Sequence, residues 1–88
     1  MNSFKTTVMK EAKRKGLTQR ALAEYCGVSE VTYGRYLDLE RTMSLSAFML
    51  TCEQLCIVPT VLFKSYTYAR MEKRVRDYIM EQTYEQIH

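Results

Sequence analysis

The sequence predicts an all-α protein with one small core, built from five short helices followed by a longer one. Three observations carry this. Only three Gly and one Pro are spread over 88 residues, too few for the tight turns of a hairpin-built sheet. Apolar residues recur at three- and four-residue steps in one segment after another. Hydrophobic residues make up 47% and charged residues 26%, which is ordinary globular usage and excludes a disordered chain. A chain of this length buries a modest share of its surface, so a partner or a second copy would help it.

The first helix is expected over residues 3–15, where Phe4, Val8 and Ala12 fall at i, i+4 and i+8 with Met9 beside them. Lys13, Arg14 and Lys15 sit in its last turn, where cations favour the helix dipole, and Gly16 follows as a stop. Thr18 is a good N-cap for a second helix that ends at Gly27. Ser29 can cap a third helix starting at Glu30. Two short helices joined by a turn opened by Gly are the sequence form of a helix-turn-helix. In the third helix Tyr33, Tyr36 and Leu37 share one face, and Glu30, Val31, Gly34, Arg35 and Asp38 form much of the other. Gly34 costs about 1 kcal/mol relative to Ala in mid-helix. Close approach of another backbone would account for it, and so would neutral drift.

Residues 39–43 read as a loop. Ser44 then caps a fourth helix through Cys56, with Phe48, Cys52 and Leu55 on one stripe and Leu45, Met49 and Cys56 widening it. Pro59 fits the first turn of a short fifth helix whose Val61, Leu62 and Phe63 fill the core. From Tyr66 the composition changes. Tyr68, Met71, Val75 and Tyr78, with Ile79 alongside, recur at three- and four-residue steps, predicting a long sixth helix over 66–88. Residues 1–65 are thus expected to form the globular domain and 66–88 an added helix. The apolar stripe of that helix must bury against its own domain or against a second copy. A homodimer seam is favoured, because five preceding helices already suffice for a core.

The formal charge of +3 is unevenly placed. Residues 1–41 hold eight Lys/Arg against five acids, whereas residues 42–88 hold five of each. The whole excess lies in the half with the helix-turn-helix, which suits a polyanion there and equally an ordinary basic surface. Cys26, Cys52 and Cys56 are odd in number, no secretory signal is seen, and the sole histidine is His88. Reduced, buried thiols in a cytoplasmic protein are therefore expected, with no disulfide framework and no metal or other cofactor. No apolar run approaches the ~20 residues that cross a bilayer. No histidine lies within the fold to act as a base, and no Gly-rich phosphate loop is present, so an enzyme is not expected.

The stretch from Leu17 to Phe63 resembles the Cro/phage-repressor type of helix-turn-helix domain, the XRE family. The likeness rests on Thr18-Gln19 opening the second helix, Leu22-Ala23 within it, Gly27-Val28-Ser29 at the turn and Ser44-Leu45 opening the fourth. Leu55, Ile57-Val58 and Leu62-Phe63 complete it. The fold it implies is a five-helix phage-repressor-like domain, here with the additional long C-terminal helix. Such domains usually carry Glu-x-Gly after the third helix, where this chain has Leu37-Asp38-Leu39, and Pro-Ser where it has Met43-Ser44. The 38–43 loop is therefore expected to differ in shape.

The resemblance implies that the third helix enters the major groove of double-stranded DNA and presents Glu30, Val31, Gly34 and Arg35 to the bases. Arg35 would pair with guanine, Val31 would pack on a thymine methyl and Glu30 would accept from cytosine. Gln19, Ser29, Thr32 and Arg41 would lie along the phosphates. Binding would be by a homodimer through Tyr68, Met71, Val75, Tyr78 and Ile79. The function implied is a sequence-specific transcriptional regulator, a repressor of a phage or mobile element. The alternative is a protein-binding module on the same fold, such as an antirepressor, antitoxin or inhibitor, with a regulatory protein as its partner.

Overall fold

A computed structural model describes the backbone of residues 2–87 and the side chains of residues 2–82; His88 lies outside the described residues. The described residues form five helices and no strand: α1 (Ser3–Arg14), α2 (Gln19–Cys26), α3 (Glu30–Leu37), α4 (Leu45–Leu55) and α5 (Pro59–Ile87). Side chains start four of them. Asn2 Oδ1 accepts from the Lys5 amide at 3.0 Å, and the hydroxyls of Thr18, Ser29 and Ser44 accept from Ala21, Thr32 and Ala47, each at 3.1 Å. Thr18, Ser29 and Ser44 are the caps the sequence predicts, and each satisfies an amide the helix cannot. Gly27 ends α2 at φ 71, a left-handed conformation that Gly adopts without steric cost.

The two last helices expected from the sequence are one. No Gly or Pro interrupts the chain between Pro59 and Ile87, so nothing breaks the backbone where the composition changes at Tyr66. Twenty-nine residues at 1.5 Å each make a rod of about 43 Å, close to the 47 Å long axis of the molecule.

α5 packs its first three turns chiefly on α1, while α2 packs on α3 and α4. The core holds Phe4, Val8 and Ala12 of α1, Leu22 and Ala23 of α2, Tyr33, Tyr36 and Leu37 of α3, and Leu62, Tyr66 and Ala69 of α5. The rings of Phe4 and Tyr66 meet edge to face at 4.7 Å. One polar pair crosses this core: the Tyr33 hydroxyl lies 2.8 Å from that of Thr51, which is fully buried on α4. Burial pushes the Tyr33 phenol up to about 12, so it stays neutral and available for that bond.

α4 departs from its expected stripe. Its buried arc is Ala47, Phe48, Thr51, Cys52 and Leu55, and it leaves Leu45 and Met49 exposed. Thr51 sits in the middle of this face, bonded to Tyr33, and Leu45 and Met49 point outward. Cys52 is buried and Cys26 half-buried, and burial pushes both thiols up. Cys56 is exposed, against expectation, because it lies beyond the last turn as the α4 cap, at φ 54. A residue with a Cβ is strained there. Cys56→Gly is expected to stabilise the fold by about 1 kcal/mol, or roughly 4–8 °C in melting temperature, read by thermal circular dichroism.

Candidate nucleic-acid interface

α3 is fixed by its inner face. At 100° per residue, Tyr33, Tyr36 and Leu37 occupy one arc and are buried. Glu30, Val31, Gly34 and Arg35 then fall on the opposite arc. Glu30 and Arg35 are exposed, and so is Val31, at 66%. The Arg35 guanidinium makes no hydrogen bond or ion pair with the described residues, so its five donors remain available.

Gln19, in the first turn of α2, reaches across to this helix. Its Nε2 donates to the Glu30 carbonyl at 3.4 Å. A Cβ on Gly34 would lie 2.9 Å from the same nitrogen. The absent side chain at position 34 is therefore the space through which Gln19 passes; the approach is by a side-chain amide and not by another backbone. Glycine here leaves the Gln19 amide on the outer face, with one N–H and its oxygen still to be used.

The Ser29 hydroxyl is fully engaged at the head of α3. It accepts from the Thr32 amide and donates to Thr32 Oγ1 at 2.9 Å. A hydroxyl has a single hydrogen, so the donor left for an external acceptor is that of Thr32. Ser29 acts as the cap and Thr32 as the free donor of the pair.

Arg41 is exposed on the loop after α3. Its amide and that of Glu40 donate to the Arg35 carbonyl, at 3.3 and 3.0 Å. Leu39 takes φ 61, so the position where the resemblance has Gly is left-handed, with a leucine half-buried against the core. Distant residues brace this region. Asn2 Nδ2 donates to the Leu37 carbonyl at 2.6 Å and Lys5 pairs with Asp38 at 2.6 Å. Tyr66, Arg70 and Lys73 of α5 bond the loop itself. Sequence reading missed all five, since the partners lie 23 to 35 positions away; the leucine in a glycine position was the one local sign that the loop is held from outside.

Tyr68, Met71, Val75, Tyr78 and Ile79 all lie on α5. Each is more than half exposed. Among the described residues, no cluster of His, Cys, Asp or Glu could hold a metal ion, and no helix is long and apolar enough to cross a membrane.

No curated protein matches the chain. A family model described as helix-turn-helix matches residues 8–43, from mid-α1 to the end of the loop after α3. That span contains every residue that the sequence reading expects at base-reading and phosphate positions. Over residues 8–43 the chain is similar to the DNA-binding helix-turn-helix family of the Cro/C1 type, the XRE family.

Proposed function

We propose that the protein is a sequence-specific transcriptional regulator, a repressor that occupies an operator as a homodimer with α3 in the major groove. One observation carries this reading most: α3 is anchored by three buried residues while Glu30, Val31, Gly34 and Arg35 face outward with Arg35 unengaged. Arg35 supplies the fork that pairs with guanine, Val31 an apolar contact and Glu30 an acceptor for cytosine. Gln19, Thr32 and Arg41 flank them as phosphate donors, and Ser29 keeps the helix start in place. Such a regulator acts where the DNA is, in the cytoplasm.

The dimer rests on α5. Residues 68, 71, 75 and 78 repeat in steps of three and four, the a/d spacing of a coiled coil. They lie opposite the face that Leu62, Tyr66 and Ala69 bury against the domain. The stripe is not covered by its own domain, and a second copy offers a matching one. Two copies would read half-sites about 34 Å apart.

The test is selection of duplexes from a random pool, followed by gel shift. A palindromic consensus is expected, bound with an affinity that falls steeply with log salt. Arg35→Ala is expected to weaken binding by about 1–3 kcal/mol, roughly 5- to 150-fold, and to relax preference at one base pair. Absence of any selected sequence, with firm binding to a protein partner instead, would overturn the reading.

Gly34→Ala separates folding from binding. Alanine is expected to stabilise α3 by about 0.5–1 kcal/mol, because the atom it meets is the mobile end of Gln19. The displaced amide is expected to lower DNA affinity about tenfold, as one charge-assisted phosphate contact is lost. Melting temperature and gel shift on the same preparation should move in opposite directions.

A further inference from the structure

Three successive turns of α5 clasp the 38–43 loop. Tyr66 Oη accepts from the Met43 amide at 3.1 Å. Arg70 Nη1 donates to Thr42 Oγ1 at 3.1 Å and to Tyr66 Oη at 3.3 Å, its guanidinium 5.7 Å from the Tyr66 ring centre. Lys73 Nζ donates to the carbonyl of Leu39 at 3.2 Å. The order is reversed along the two segments: 66, 70 and 73 meet 43, 42 and 39. The loop thus runs antiparallel to α5 and is pinned at both ends, with Arg41 between the pins.

Each pin is itself anchored. The Tyr66 ring is buried between Phe4 and Phe48, with ring centres at 4.7 and 6.2 Å, so its hydroxyl is held in place. Leu39 is left-handed, a conformation a leucine keeps only where its surroundings hold it; the Lys73 bond and the packing of its side chain supply that. The Arg41 amide, tied to the Arg35 carbonyl, carries the fixed geometry back to α3.

We propose that Tyr66, Arg70 and Lys73 are positioning residues for DNA binding, fixing the loop so that Arg41 meets the phosphate backbone in register with α3. This rests on the DNA-binding reading above. Each of the three makes at least one hydrogen bond with the loop, and it is through the loop and its Arg41 that the proposed effect on DNA is exerted.

Tyr66→Phe tests this without altering charge. The probe is a duplex that the wild-type protein selects from a random pool, and thermal melting establishes that each variant is folded at the assay temperature. Tyr66→Phe is expected to lower affinity about tenfold in the wild-type background but less than about twofold in Arg41→Ala, because effects exerted through a shared residue do not add. The number of released counterions should fall no further in the double variant than in Arg41→Ala alone. If Tyr66→Phe does not fold, Lys73→Met is put through the same cycle. Affinity within about twofold of wild type, or losses that multiply in the Arg41→Ala background, overturns the positioning role while leaving DNA binding intact. A wild-type protein that selects no duplex overturns the DNA-binding reading, and this role with it.

Discussion

Val75→Asp is expected to convert the protein to a folded monomer. Val75 is 56% exposed and lies outside the core, so its replacement costs the single chain little. In a coiled seam the same change buries a carboxylate against apolar residues and faces it with its own copy. An unpaired charge so buried costs about 3–5 kcal/mol, which weakens association by roughly 150- to 5,000-fold. The operator should suffer as well. Linking two reading heads multiplies affinity by about 10²–10⁴, and the monomer forfeits that factor on a full site while keeping its weak affinity for a half-site. Sedimentation velocity and gel shifts on one and two half-sites read both effects. An unchanged sedimentation coefficient would remove α5 as the seam.

Leu37→Ala is expected to be strongly damaging to the fold. Leu37 is fully buried at the last turn of α3, and its carbonyl receives Asn2. Truncating a buried leucine costs about 2–5 kcal/mol through lost burial and the cavity left behind. A chain of this size has about 4–13 kcal/mol in total. The melting temperature should fall by about 10–30 °C, measured by circular dichroism with urea unfolding as a check. A loss below about 1 kcal/mol would mean that the end of α3 is not packed as described.

What the sequence made legible follows from how local each cause is. The caps at Thr18, Ser29 and Ser44 act on amides three residues away, and Gly27 acts on its own backbone, so all four could be read from the chain. The two faces of α3 were legible for the same reason, since periodicity alone separates Tyr33 and Leu37 from Val31 and Arg35. Thr51 was not. Hydropathy assigns it to the surface, and its partner in the core, Tyr33, lies 18 positions earlier. The helix break expected at Tyr66 is absent, since no Gly or Pro interrupts α5 there, and the turns from Tyr66 to Lys73 still pack on the domain. Within the candidate site, the role of Gly34 depended on where Gln19 would reach, and the brace on the loop depended on α5 returning past it. Both are tertiary facts, and the residues concerned show only that something unusual lies near them: a glycine in mid-helix and a leucine in a glycine position.

That α5 has no break between the turns packed on α1 and the turns carrying Val75 and Tyr78 has a mechanical meaning for the proposed dimer. Two such proteins joined along their distal turns would be a calliper whose jaws cannot be opened, because a strut and not a tether sets the gap. One base pair inserted between half-sites moves the second by about 3.4 Å and turns it through roughly 35°. A flexible pair would absorb that; this one would have to distort the duplex or release a jaw, making spacer length as strong a determinant of recognition as any base.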